Sequence, residues 1–232
     1  MSTATDTRAE VASVARLIAR AGLVQAFGHV SARLQRGGFA LTSTGPLLDA
    51  DPEDVLELDD EGSVLSGERC PIEAPLHAAV YGARPDVGAI CRTHSRHAAA
   101  WACRGEPPPL IHGLGGLSGA VTVHDSAQLI SDEAAAGKVA ASLGDADCVL
   151  LRANGAVCTA ADLPRVVIRA WFLEDRALVA DLAPSARQLT GGELRERSQH
   201  FEAEAARAWR WLQARFGDSQ QRLSTTTPRR SA

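Results

Sequence analysis

Apolar residues recur at helical spacing in several parts of the chain. Between residues 8 and 21, Val11, Val14, Leu17 and Ile18 fall on one face of a helix, because they lie one, three or four positions apart along the turn. Comparable patterns and alanine-rich runs predict further helices over residues 73–82, 95–103, 126–143, 162–182 and 192–216. Helices are therefore expected along the whole chain.

Short apolar runs between turn residues predict strands. The segments "HVSARL" and "FALTS" flank Gly37 and Gly38 and predict a hairpin. A short strand is expected within residues 51–67, and buried strands are predicted at "VGAIC", "AVTVH" and "DCVLLR". Because strands and helices alternate while a hairpin comes early, the pattern predicts an α/β fold. Its three layers, αβα, would enclose a mixed, largely antiparallel central sheet.

The chain is expected to form one domain followed by a tail. No internal repeat or linker-like segment divides residues 1–216, whereas the end of the chain, "STTTPRRSA", is polar and low in apolar residues. We therefore predict a single domain over residues 1–216 and a disordered tail over residues 217–232.

Composition and charge narrow the class of partner. Apolar residues make up 45% of the chain, which is enough for an ordinary core, and the net charge of −4 comes without a long basic run. This favours a small-molecule ligand and argues against nucleic acid or an anionic membrane. The N-terminus has no signal-peptide pattern, and the five scattered cysteines form no CxxC motif. A cytoplasmic protein with reduced cysteines is expected.

Polar residues gather where the predicted elements begin and end. Glu73 opens a helix, and His94 ends a strand from which an imidazole can be aimed across a cleft. His112 lies in the glycine-rich loop "IHGLGG", where it has no core to fill. Arg92, two residues before His94, introduces a fixed positive charge. Each residue also has a plain structural alternative: Glu73 as a partner of the helix dipole, and Arg92 as an ion-pair partner of Glu73 or of a nearby aspartate.

Five segments between about residues 9 and 180 carry a family resemblance by their order and spacing: "GHVSAR", "TSTGPLLDADPEDVLELDDEG", "PIEAPLHAAVYGARPDVGAICRTHS", "CVLLRANGAVCTA" and "FLEDRALVA". With these motifs the chain resembles the class II aldolase/adducin family, in particular the fuculose-phosphate-aldolase type. The resemblance implies a mixed sheet between helical layers, a homotetramer with sites between subunits, and a divalent metal held by three histidines. The metal stabilises an enediolate in that family while a glutamate moves the proton.

The implied metal site is altered in this chain. The family's H-x-H pair is represented by Arg92 and His94, and the histidine of its N-H-G element by Asn154. Arginine stays protonated and cannot ligate a metal. A divalent metal (zinc, manganese or iron) then has His94 and Glu73 as ligands, with Asn154 as a weak oxygen donor, and His29 or His112 would have to complete the set.

The implied phosphate site is altered as well. Two serines before the family glutamate are Pro71 and Ile72 here, and the asparagine of the first phosphate element is His29. Thr44 and Gly45 remain, but a dianionic phosphate would lose several donors, so a non-phosphorylated substrate is expected. The family's tyrosine proton donor from a neighbouring subunit has no counterpart, and His112 falls in its region.

These departures give the following hypothesis. Arg92 anchors a substrate carboxylate or replaces part of the metal's charge, at little cost to stability when substituted. The reaction is aldol-type carbon–carbon cleavage or decarboxylation through an enolate or carbanion; the alternatives are an inactive adducin-like interaction protein and an iron-dependent oxygenase. The catalytic candidates are Glu73, His112 and Arg92. The metal ligands are His94 and Glu73. The substrate-binding candidates are His29, Ser31, Thr44, Gly45, Arg92 and Asn154.

Overall fold

A computed structural model describes residues 4–218, and their side chains from residue 7 onward. The helices are α1 (Ala4–Arg20), α2 (Ala74–Ala83), α3 (Arg96–Arg104), α4 (Glu133–Leu143), α5 (Leu163–Leu182), α6 (Gly191–Ser198) and α7 (Phe201–Phe216). The strands are β1 (His29–Arg33), β2 (Phe39–Leu41), β3 (Leu56–Leu58), β4 (Val64–Ser66), β5 (Ala89–Thr93), β6 (Val121–His124), β7 (Cys148–Leu151) and β8 (Ala156–Ala160).

The strands form one eight-stranded sheet in the order β4-β3-β2-β1-β5-β8-β7-β6. Neighbouring strands run antiparallel except for β6 and β7, which are parallel. The sheet is therefore mixed and largely antiparallel, as predicted.

Each face of the sheet is covered by helices. One face contributes Val30, Cys91 and Cys158 to a core that includes apolar residues of α1, α3, α5 and α7. The opposite face contributes Leu41, Ile90 and further residues to a second core under α2 and α4. Because side chains alternate along a strand, the two cores lie on opposite sides of the same sheet. The predicted αβα layering is confirmed.

Several element boundaries differ from the prediction. Strand β8 was missed, although it occupies the centre of the sheet between β5 and β7; it is short and built from small residues that follow a turn. Helix α4 begins at Glu133 instead of near 126, because the Asp132 side chain accepts the Ala135 N–H and caps the helix there. The predicted last helix is broken at Gln199–His200 into α6 and α7.

The end of the described chain is held against the first helix. Asp218 contacts Nη2 of Arg16 at 2.6 Å and Nη1 of Arg20 at 2.7 Å. The remainder of the predicted disordered tail, residues 219–232, lies outside the described residues. Among residues 4–218, no helix has the length and apolar character that crossing a membrane requires.

The centre of the sheet brings separate sequence motifs together. His29 of β1 lies directly opposite Arg92 of β5, and Ser31 lies opposite Ile90. These four residues share the face that carries α2. The turn between β7 and β8 brings Asn154 to the end of β5, since Thr93 pairs with Ala156. The fold therefore collects residues from β1, β5, α2 and the β7–β8 turn at one sheet end.

Gly155 in this turn is expected to tolerate no side chain. Its φ is +74°, and a Cβ would lie 2.2 Å from the Thr93 carbonyl oxygen. Gly155→Ala should therefore lower the free energy of unfolding by about 1–3 kcal/mol, measured by urea denaturation. Gly137→Ala is the control, because a Cβ on this helical glycine meets nothing within 4 Å, and it should stabilise by about 0.5–1 kcal/mol. Equal stability of Gly155→Ala and the wild type would contradict this account.

Candidate active site

A cleft of about 420 Å³ opens at this end of the sheet. Its lining combines a polar floor with an apolar rim and a hydroxyl-bearing wall. The lining residues are Ala26, Phe27, Gly28, His29, Ser43, Thr44, Gly45, Pro71, Ile72, Glu73, His94, Leu129 and Asn154. Six of the positions singled out from the sequence thus meet in one cavity.

Arg92 lies beneath the cleft floor and is fully buried. Its Nε is 3.3 Å from Oε2 of Glu73, an ion-pair contact without good hydrogen-bond alignment, and its Nη2 donates to Oε1 at 3.5 Å. Its Nη1 donates to the Thr93 carbonyl at 2.8 Å. The guanidinium of Arg92 therefore binds Glu73 and the Thr93 carbonyl within the protein. This corrects the expectation that Arg92 contacts a substrate carboxylate directly.

The ion pair explains how a charged side chain can occupy this core. Burial lowers the pKa of Arg92, while the charge of Glu73 and its hydrogen bond act in the opposite direction. Glu73 sits at the N-terminal end of α2 and is itself nearly buried. Because each buried charge is neutralised by the other, losing one partner would leave an uncompensated charge. We therefore expect the loss of Arg92 to destabilise the protein, in contrast to the small effect predicted from the sequence.

His94 reaches the cleft with both ring nitrogens close to oxygen atoms. Nδ1 lies 3.1 Å from the Phe27 carbonyl, and Nε2 lies 3.3 Å from Oδ1 of Asn154. Burial, and next the charge of Arg92, lower the pKa of His94, so the neutral ring is favoured. Since a carbonyl can only accept, the proton belongs on Nδ1, and Nε2 accepts from the Asn154 amide after a half-turn of that side chain.

His29 lines the floor of the cleft beside Glu73. Its Nδ1 is buried, has no hydrogen-bond partner among residues 4–218, and lies 3.9 Å from Oε2 of Glu73. Burial lowers the pKa of His29 to about 3, with further contributions from Arg92 and His94. The imidazole is therefore neutral at physiological pH and can serve the cleft as a hydrogen-bonding group.

Ser31 does not reach the cleft, although it was predicted to bind substrate. It is fully buried, and its hydroxyl lies 2.8 Å from Nδ1 of His77 and 2.8 Å from the hydroxyl of Tyr81, both on α2. The alternation of side chains along β1 places it on the same face as His29 but one step deeper under the helix. Ser31 therefore ties α2 to the sheet behind the site.

The segment from Ser43 to Gly45 forms one wall of the cleft. The Thr44 N–H donates to the Arg69 carbonyl at 3.1 Å, and the Gly45 N–H donates weakly to the Ser43 hydroxyl at 3.5 Å. Thr44 and Gly45 therefore lie where the sequence predicted substrate contacts. Their roles as binding residues stay predictions.

The mouth of the cleft is apolar, a feature that sequence reasoning missed. Phe27, Ile72 and Leu129 line the cavity with exposed fractions of 74%, 59% and 55%. We call these three side chains the apolar mouth. They come from three loops far apart in sequence. Of the three, the sequence analysis noted only Ile72, as a difference from the family pattern. Exposed apolar groups gathered around one cavity are typical of a binding surface.

His112 lies outside this cleft. It lines a separate cavity with Arg197 and His200, and its Nε2 is 3.5 Å from Oδ2 of Asp175. Within one chain it therefore cannot exchange a proton with a molecule in the cleft. Its role as an acid stays a prediction that requires the cleft of a neighbouring subunit.

The family's metal does not fit these residues. Among residues 4–218, no group of three or more His, Cys, Asp or Glu side chains is placed to hold a metal ion. Of the two proposed ligands, Glu73 has both carboxylate oxygens in contact with the Arg92 guanidinium, and a cation there would face that fixed positive charge. A divalent metal as cofactor therefore stays an unconfirmed prediction, and the donor set argues against it.

The chain belongs to the class II aldolase and adducin family. The sequence profile described as Class II Aldolase and Adducin N-terminal domain matches residues 9–180, the span indicated by the motifs. Members of the family generally depend on a divalent metal. The resemblance inferred from the sequence is therefore confirmed, while the metal site of this member departs from it.

Named relatives place the chain among lyases. It is 27% identical over 206 residues to 3,4-dihydroxyphthalate decarboxylase of Arthrobacter keyseri, covering 82% of each chain. It is 28% identical over 167 residues to L-fuculose phosphate aldolase of Methanocaldococcus jannaschii, covering 70% of this chain and 88% of the relative. The prediction of a lyase-type enzyme is confirmed at that level.

A solved structure supports the fold independently. The putative aldolase/epimerase/decarboxylase YgbL from Klebsiella pneumoniae superposes with a TM-score of 0.76 at 23% identity, over 84% of this chain and 98% of that one. Because the identity is low, this likeness concerns the architecture alone.

Removal of Arg92 alone should destabilise the protein strongly. Arg92→Met leaves the Glu73 carboxylate buried without its partner, which should cost about 3–5 kcal/mol in urea denaturation. The double variant Arg92→Met/Glu73→Leu removes both charges and should recover most of that loss. As a control, Arg152→Met breaks the exposed contact to Asp125 and should change stability by less than about 1 kcal/mol. A double variant as unstable as the sum of its singles would contradict the pairing.

Proposed function

We propose that this lyase removes carbon dioxide from a small, non-phosphorylated substrate that carries a carboxylate, through a stabilised enolate or carbanion. The observation that carries the proposal is the composition of the cleft. Its described lining contains no lysine or arginine, its floor is built from Glu73, His29, His94 and Asn154, and its mouth is apolar. The coarser class, a lyase, rests on the family; the substrate and reaction are this proposal.

The cleft is poorly suited to a phosphate group. Pro71 has no backbone N–H, and Ile72 has no hydroxyl, where a phosphate would require donors. At the floor, a dianion would also need a nearby cation to offset its desolvation, and the guanidinium of Arg92 beneath the floor is already paired with Glu73. An apolar body with few charges is more compatible with the apolar mouth.

Decarboxylation is favoured over aldol cleavage by the same charge pattern. When the bond between carbon and the carboxylate breaks, the charge leaves that group, carbon dioxide departs neutral, and the electron pair passes to a carbonyl or ring of the substrate. A cation clamped on the departing carboxylate would stabilise the ground state more than the transition state. A floor without a free cation avoids that stabilisation.

The residues of the cleft can support the remaining steps. His29 and Asn154 are neutral hydrogen-bonding groups that can stabilise the oxygen on which negative charge develops. Glu73, fixed by Arg92 and open to the cleft, is the proposed relay for the proton that replaces carbon dioxide on carbon: its carboxylate takes up a proton from solvent, passes it to the carbanion and returns to the charged form. No step is assigned to a metal, because the donor set does not fit one.

The two alternative functions have less support. An inactive adducin-like protein would not need His29, Glu73, His94 and Asn154 to line one cavity. An iron-dependent oxygenase needs two histidines and a carboxylate with free oxygens, whereas both oxygens of Glu73 contact Arg92.

The proposal includes a homotetramer in the cytoplasm. The family resemblance supports the assembly. The position of His112 supports it as well, because this residue lines a separate cavity and can reach a cleft only in another subunit. The five cysteines are all unpaired, which suits a reducing compartment.

A direct assay of carbon dioxide release tests the reaction. Purified protein given 3,4-dihydroxyphthalate, the substrate in the name of the Arthrobacter keyseri relative, should release carbon dioxide. Glu73→Gln should reduce kcat by about 100-fold or more, because a positioned acid–base group contributes on that scale.

Glu68→Gln is the matched control, since this exposed carboxylate is close in sequence but does not line the cleft; it should retain full activity. Circular dichroism of Glu73→Gln would verify that it is folded. Cleavage of L-fuculose 1-phosphate without carbon dioxide release from the aromatic acid would contradict the proposal.

A further inference from the structure

Arg69 has a strained backbone beside the cleft. Its φ is +59°, and the only other non-glycine residue with positive φ among residues 4–218 is Ala153, which precedes Asn154 of the cleft. Its carbonyl accepts the N–H of Thr44, a cleft residue. Left-handed backbone at a non-glycine residue costs free energy and tends to be retained at functional sites. The backbone strain therefore makes Arg69 a candidate for a functional role.

The guanidinium of Arg69 stands directly behind the cleft wall. Its Nη1 is 3.7 Å from the point where a Cβ of residue 45 would be, and Gly45 lines the cleft. Arg69 itself lines a smaller adjoining cavity that shares Ser43 and Gly45 with the cleft. Because Gly45 has no side chain, none fills the space between this backbone and the guanidinium, and the partly exposed Arg69 side chain lies next to the wall where a ligand in the cleft would meet Thr44 and Gly45.

The present partner of Arg69 leaves it available. Its Nη2 donates to Oδ1 of Asp54 at 2.7 Å, but both side chains are at least half exposed. Exposed ion pairs contribute little free energy, so a second carboxylate can share the guanidinium without a large loss. Arg92, by contrast, is buried and has both contacts to Glu73 inside the core.

We propose that Arg69, together with the Thr44 hydroxyl, anchors a substrate carboxylate at the Ser43–Gly45 wall. This rests on the proposed function. A carboxylate held by a guanidinium is stabilised as an anion and is therefore the one that the product retains. The carboxylate that leaves lies on the cation-free floor near Glu73. The substrate class is accordingly a dicarboxylate: one acid group is bound at the wall and the other is lost as carbon dioxide.

Binding of three probes by titration calorimetry tests this assignment without requiring turnover. Catechol has the ring without an acid group, 3,4-dihydroxybenzoate adds one carboxylate, and phenyl phosphate carries a phosphate on the ring and no carboxylate. The wild type should bind 3,4-dihydroxybenzoate about tenfold or more tightly than catechol, since a charge-assisted contact is worth that factor. Arg69→Asn and Arg69→Gly should abolish the difference, leaving the affinity for catechol unchanged. Asparagine and glycine both accept positive φ, so these variants keep the backbone.

The control is Asp54→Asn, which removes the partner and keeps Arg69; it should bind 3,4-dihydroxybenzoate at least as tightly as the wild type. The role of Arg69 is overturned if both Arg69 variants bind 3,4-dihydroxybenzoate as tightly as the wild type does. It is also overturned if the wild type does not bind 3,4-dihydroxybenzoate more tightly than catechol, or binds neither measurably. Binding of phenyl phosphate that depends on Arg69 and is tighter than that of 3,4-dihydroxybenzoate would overturn the choice of a carboxylate. If the wild type releases no carbon dioxide but shows these binding differences, the proposed reaction is refuted, whereas the assignment of Arg69 as the carboxylate-binding residue is supported.

Discussion

The buried ion pair between Arg92 and Glu73 constrains the whole site. A guanidinium cannot lose its proton, so the charge of Arg92, buried without access to water, is stabilised by the carboxylate of Glu73. The pairing of β5 with β1 and β8 surrounds Arg92 with protein, and the start of α2 brings Glu73 onto it. The result is a cavity floor whose carboxylate is fixed from below and whose cation is out of reach of a ligand.

The other differences from the family pattern are consistent with this ion pair. Zinc binding would require histidines where Arg92 and Asn154 stand, and phosphate binding would require donors where Pro71 and Ile72 stand. With neither group to bind, a neutral His29 and an apolar mouth become compatible with the cleft. The site keeps the family's glutamate and one of its histidines, but in surroundings suited to a different substrate.

Local patterns in the sequence were sufficient for much of the fold. The periodicity of α1, the hairpin of β1 and β2 and the motif order predicted the layers, and the family motifs gathered Glu73, His94, His29 and Asn154 correctly into one cleft. Burial was less predictable. Arg92 looked like a residue at a strand end, yet β5 continues through Thr93 and β8, which was missed, covers it. Arg69 gave no sequence signal at all, because its importance depends on a backbone angle and on its contact with a distant loop.

We infer that the Arg92–Glu73 pair keeps the family's metal out of this cleft. Zinc titration of metal-free protein, followed by calorimetry, tests it most directly, with Arg92→His/Asn154→His as the comparison. We expect the wild type to have no zinc site that depends on His94. The double variant should gain at least about tenfold in zinc affinity, since three imidazoles and a carboxylate would then converge. Stoichiometric zinc binding by the wild type that is abolished by His94→Ala would contradict the account.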